Sequence, residues 1–156
     1  MMKLKKIVNS TMVYDSRKHD DANGKYVIKI EDESITSNKF NSVKLFVEFV
    51  IKKLHIVGLI KIILTTDRKK YNIKTFAYYD NNKSLCVVYS KNRKIADVLR
   101  SIAHEMIHKH QYENNKIQEP VQDIGGKIED EANALAGRYV KEFGYKNSEI
   151  FENKIV

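Results

Sequence analysis

The segment RSIAHEMIHKH, residues 100–110, constrains this chain more than any other, because it sets His104, Glu105 and His108 at the spacing HExxH inside a run that reads as helix. Residues four apart on a helix share one face, one turn above the other. Both imidazoles can therefore reach a single zinc ion, while the glutamate beside them can touch a water held there. Ile95, Val98, Leu99, Ile102, Met106 and Ile107 recur at helical steps, so an apolar stripe runs through the motif. Asn92 is a candidate cap, and neither Gly nor Pro interrupts residues 92–113.

The third ligand decides what kind of zinc site this is. A continuation HExxHxxGxxH needs glycine at 111 and histidine at 114, where the chain has Gln111 and Asn114. The single cysteine, Cys86, lies in SLCVV, a strand pattern rather than the Gly-Cys-Leu context of a deformylase-type ligand. Carboxylates are supplied by a second amphipathic segment, GGKIEDEANALAGRYVKEFG, which carries Glu129, Asp130 and Glu131. Its apolar stripe is Ile128, Ala132, Leu135, Ala136, Tyr139 and Val140, with Glu129 nearer the centre than Glu131 and Asp130 on the polar side. Periodicity leaves both glutamates open, with Glu131 able to pair instead with a base such as Arg138.

Residues 129–133, E-D-E-A-N, resemble the E-x-E-A-[DN] signature that follows HExxH in gluzincin-type zinc metallopeptidases, among them the CAAX prenyl protease family and the ImmA/IrrE-like peptidases. The resemblance implies that Glu129 is the metal ligand and that Asn133 supports the site. Residues 75–145 also resemble SprT-like metallopeptidase domains, including short versions that phages encode. The Spartan class of these is tied to DNA-dependent proteolysis and commonly uses histidine as third ligand; this chain has no histidine after His110 and no cysteine-rich ribbon. What the resemblance implies is a minimal zincin fold of the α+β class. A small, mostly antiparallel sheet is expected to pack on an N-terminal helix, the HExxH helix and a C-terminal glutamate-bearing helix.

The implied activity is that of a zinc-dependent metallopeptidase hydrolysing peptide bonds through a zinc-activated water. His104, His108 and Glu129 would hold Zn2+, and Glu105 would be the general base. Tyr139, Tyr145, Arg138 and His110 are candidate donors to the developing oxyanion. Because the ligands must be neutral imidazoles, metal loading is expected to weaken below the ordinary histidine pKa of ~6.5. A zincin-fold module that only binds partners is the alternative, as is an amidase using the same chemistry on a non-protein substrate. Glu105 favours an enzyme, since a structural zinc needs no general base.

At 156 residues and 42% hydrophobic composition the chain is expected to form one domain. Residues 1–40 read as N-terminal strands and turns, 41–91 as helix and sheet, 92–113 as the active-site helix, and 125–144 as the third-ligand helix. Within these, residues 25–30, 59–65, 73–79 and 84–89 read as strands, and 42–54 as a core-facing helix. DNNK joins the last two strands as a hairpin turn, which would set 84–89 at the sheet edge, where an extended substrate could pair. Gly125 and Gly126 would permit close approach of the two site helices, and Gly144 would end the second. His19 and His55 have no zinc-like spacing and are expected to serve a turn and a helix end.

One cysteine excludes a disulfide framework and points to a reducing compartment. No apolar run is long enough for a signal peptide or membrane span, so a cytoplasmic protein without membrane contact is expected. The formal net charge of +8 includes Lys52, Lys53, Arg68, Lys69, Lys70, Lys91, Arg93 and Lys94, with Lys3, Lys5 and Lys6 near the start. Nucleic acid is the usual partner of such charge. Scattered lysine without basic tails reads instead as a solvated surface, which leaves a protein or peptide substrate as the expected partner.

Overall fold

The computed structural model describes residues 5–7, 11–19, 24–117 and 126–152, of which residues 5–7 by backbone alone. Six strands form one mixed sheet: β1 (Lys5–Ile7), β2 (Thr11–Asp15), β3 (Tyr26–Glu31), β4 (Ile60–Thr65), β5 (Ala77–Asp80) and β6 (Leu85–Tyr89). Their spatial order is β1-β2-β3-β4-β6-β5. The inner pairs β3–β4 and β4–β6 are parallel, in register Ile28 with Ile62 and Ile62 with Cys86. The outer pairs β1–β2, β2–β3 and β5–β6 are antiparallel.

Alternation in the strands explains which side is covered. Tyr26, Ile28 and Ile30 of β3 and Ile60, Ile62 and Leu64 of β4 are fully buried, while Val27, Lys29 and Lys61 between them are not. Helices cover this apolar face: α1 (Ser37–Leu54), α3 (Ile95–Glu113) and α4 (Lys127–Lys146), with a single-turn α2 (Arg68–Tyr71) lying outside the core. α1 crosses between the parallel strands β3 and β4, as parallel pairing requires. Thr36 caps its start by accepting a hydrogen bond from Lys39 N, and His55 ends it in the left-handed region at φ 54°.

Several boundaries differ from those the periodicity suggests. Asn92 does not cap α3; it sits at φ 57° in the turn before it, and the helix starts at Ile95 after Lys94. Gly144 does not stop α4. It lies inside the helix, where the Phe151 ring occupies the space a Cβ would need. Gly126 leads into α4 at φ 89°, a conformation suited to glycine, but nothing lies within 4 Å of its missing side chain, so it does not serve close approach. Gly125 falls outside the described residues.

The strand before α3 is not at the edge either. β6 runs between β4 and β5, and β5 takes the outer position. The hairpin turn itself is as read: Asp80 accepts hydrogen bonds from Asn82 N and Lys83 N. Because β6 pairs in parallel with β4, its hairpin partner must fall on the far side.

An aromatic cluster ties α1 to α4. Phe143 meets Phe46 edge-on at 5.2 Å and Phe49 at 5.6 Å, and Tyr139 meets Phe49 at 6.2 Å. Phe46 is fully buried, so Phe46→Ala should cost about 3–5 kcal/mol by urea denaturation. A loss below 1 kcal/mol would contradict this packing.

A second device fastens α2 to the sheet. Glu31 accepts from Lys70 Nζ at 2.7 Å and Tyr71 Oη at 2.5 Å. Burial pushes its carboxyl pKa up, but these bonds outweigh burial and the net shift is downward. A carboxyl that ionises more readily when folded stabilises the fold above its unfolded pKa of ~4.3, and that stability is lost as pH falls through the lower folded value. Glu31→Gln should therefore flatten the fall of melting temperature between about pH 5 and 2; an unchanged acid limb would refute the assignment.

Candidate metal centre

α3 is buried around most of its central turns: Ile102, Ala103, Met106 and Ile107 are in the core, and Glu105, His108, Lys109 and Gln111 are buried polar side chains among them. His104 and His108 project from one face with their rings edge-to-face, centroids 4.8 Å apart. α4 packs against α3 and delivers Glu129 from its first turn. An acidic side chain there also suits the positive end of the helix dipole.

The three donors converge. Glu129 Oε1 lies 2.7 Å from His108 Nε2, Glu129 Oε2 lies 3.2 Å from His104 Nε2, and the two Nε2 atoms are 3.2 Å apart. Zinc bonds of ~2.0–2.1 Å in a tetrahedral shell place neighbouring ligand atoms about 3.3 Å apart. His104, His108 and Glu129 thus form a group that could hold a metal ion, and both the spacing and the two-imidazole, one-carboxylate donor set suit zinc. Of the candidate ligands, Glu129 joins the histidines and Glu131 does not.

Burial, then the neighbouring His108, hold the His104 pKa below its usual value, against Glu129 and a hydrogen bond with Asn133. His104 therefore keeps the neutral, ligating form to lower pH than an exposed histidine. The Asn133 contact is where the E-D-E-A-N resemblance puts a supporting residue. Glu105 is 6% exposed, with its Oε2 4.0 Å from His104 Nε2, beside the three donors but outside the group. It also lies close enough to Cys86 of β6 to raise that buried thiol's pKa, second to the effect of burial.

Other site expectations fall away. At ~1.5 Å rise per residue, Arg138, Tyr139 and Tyr145 sit roughly 13–24 Å along α4 from Glu129. Tyr139 is instead packed on Phe49, and Tyr145 is 76% exposed. His110 turns from the ligand face toward the Asn114 amide. Glu131 pairs with Lys116, at 3.5 Å, rather than with Arg138. Of the surface bases, Arg93 donates to Tyr89 O, Asp97 O and Ser101 Oγ and stacks on Phe76, while Arg68 stacks on Tyr89. Arg93 fastens the start of α3 to the end of β6, and Arg68 holds α2 against that same end of β6.

Gln111 is the residue the sequence reading passed over. It is fully buried, three residues after His108, and its Oε1 is 2.7 Å from His108 Nδ1. An i, i+3 spacing on the ligand face was the available signal.

The fold and site define an α+β protein with a His–His–Glu group able to take a metal ion. Compared with protein families, curated proteins and solved structures, the chain matches no family model, no curated protein and no solved structure. Among the described residues no helix is long and apolar enough to cross a membrane.

Metal analysis of purified protein should find one zinc per chain in the wild type and none after Glu129→Ala. Glu131→Ala should keep the metal with weaker affinity. Equal loss in both variants would refute the assignment of Glu129 as the ligand.

Proposed function

We propose that the protein is a zinc-dependent metallopeptidase of gluzincin type, with His104, His108 and Glu129 as ligands and Glu105 as general base. The observation that carries this reading is Glu105: a buried carboxylate beside the three-donor group but not part of it. A site that only held metal for stability would need no such group.

When bound, zinc supplies Lewis-acid polarisation of a carbonyl and lowers the pKa of water toward ~7. The chain does the rest. Glu105 takes the proton of the attacking water at Oε2 and hands it to the departing amine, so that one carboxylate serves both halves of the reaction. The two imidazoles must stay neutral to ligate, which burial of His104 favours. Burial of Glu105 and His108 keeps the local dielectric low, which strengthens their electrostatic effect on the reacting atoms.

An open sheet edge supports a peptide as the substrate. β5 packs against α3 on the side opposite the sheet's N-terminal strands, and its outer edge has no neighbouring strand among the described residues. Such an edge takes an extended peptide by main-chain hydrogen bonding. In this reading β5, not β6, is the strand that would align the substrate.

Glu105→Gln should keep zinc while casein cleavage falls about 10²–10⁴-fold, and chelation of the wild type should abolish cleavage reversibly. Cleavage that survives either treatment, or a wild type without zinc, would sink the proposal.

A further inference from the structure

We propose that Gln111 is a positioning residue that sets the tautomer of His108 and thereby aims its Nε2 lone pair at the metal, an inference that rests on the metal-site reading. The amide orientation is decided by its partners. One end of the Gln111 side chain lies 3.0 Å from Ile128 O and 2.9 Å from Glu131 Oε1, both of which only accept. That end must be the NH₂ group, with both its hydrogens used.

The other end is therefore the carbonyl oxygen, 2.7 Å from His108 Nδ1. An oxygen with no hydrogen can only accept, so Nδ1 carries a proton and Nε2, beside Glu129 Oε1, is the nitrogen left to ligate when a metal displaces any proton held there. That nitrogen is the one facing His104 and Glu129. The hydrogen bond on one ring nitrogen thus decides which nitrogen can ligate.

Glu131 closes the relay. Its second oxygen is 3.5 Å from Lys116 Nζ. Ile128 O accepts in every state, so the amide cannot flip without facing oxygen with oxygen. The first glutamate of E-D-E-A-N binds and the third residue of the same motif steers the opposite helix. Gln111, buried between α3 and α4, transmits one to the other.

The test reads the tautomer and the metal separately. Nitrogen-15 NMR of metal-free Glu129→Ala, which lacks the carboxylate that would hold a proton on Nε2, at about pH 8 where ordinary imidazoles are neutral, should show His108 protonated on Nδ1. Gln111→Leu added to that background should move the proton to Nε2, and Gln111→Leu alone should weaken zinc binding, read with a competing chelator, by about 10- to 100-fold. Gln111→Met, close in length and volume but unable to accept from Nδ1, should give the same two changes and carries the test if Gln111→Leu does not fold.

A purely structural bridge between α3 and α4 predicts weaker zinc in Gln111→Leu with the His108 tautomer unchanged. That outcome, a His108 protonated on Nε2 in Glu129→Ala with Gln111 intact, or wild-type affinity in Gln111→Leu would overturn the proposal. Failure of the wild type to bind zinc, with the Nδ1 tautomer present, would remove the metal reading and leave the relay standing.

Discussion

Three electron-pair donors within 2.7–3.2 Å of one another, on side chains largely withdrawn from water, repel unless positive charge lies among them. The arrangement of the rest of the molecule follows from holding that cluster together. His104 and His108 need no tertiary help to align, since one helix turn does it. Glu129 does, because it comes from another helix with twenty residues of chain between it and His108. The crossing of α3 and α4 is thus the contact on which the site depends.

That crossing is held at both ends by unlike means. Toward the C-terminus of α4 it is apolar: Tyr139 and Phe143 are set against Phe46 and Phe49 of α1, which itself lies on the buried face of β3 and β4. Toward the N-terminus it is polar, with Gln111 bonded to Ile128 and Glu131. Non-directional packing brings the helices together, and directional bonding fixes the angle at which Glu129 arrives. Removing a buried ring loosens the first anchor, whereas removing the amide leaves three partners unmatched, the buried His108 among them.

Much of this was legible in the sequence. HExxH encodes its chemistry in spacing, and spacing on a helix is geometry, so His104, Glu105 and His108 could be named beforehand, whereas periodicity left Glu129 and Glu131 open and the E-D-E-A-N resemblance pointed to Glu129. The apolar steps of α1 and α3 and the alternation of β3 likewise carried their own faces. The strand order was not legible. Whether β6 pairs with β4 in parallel depends on how the chain passes through α2 and β5, and no local pattern near Leu85–Tyr89 records that. Gln111 was hidden for a different reason: it was read only as the glycine a longer motif would have had. A polar residue standing in an otherwise buried helix face was the sign that a partner must exist. Asn92 and Gly144 misled because a cap and a stop are inferred from residue type, while Asn92 lies in a turn before α3 and Gly144 faces the Phe151 ring from inside α4.

A metal ion held by side chains from two helices joined by a long connection would also act on stability. Whatever binds the folded arrangement and not the unfolded chain adds RT ln(1 + [L]/Kd) to stability, about 2.7 kcal/mol when free metal is a hundred times Kd. For a domain of this size that is a substantial part of the usual 5–15 kcal/mol. The share of molecules folded would then follow the supply of free metal. With α3 and α4 joined through a bound ion, scarcity of metal would shorten the lifetime of the folded protein, coupling its abundance to the ionic state of its surroundings.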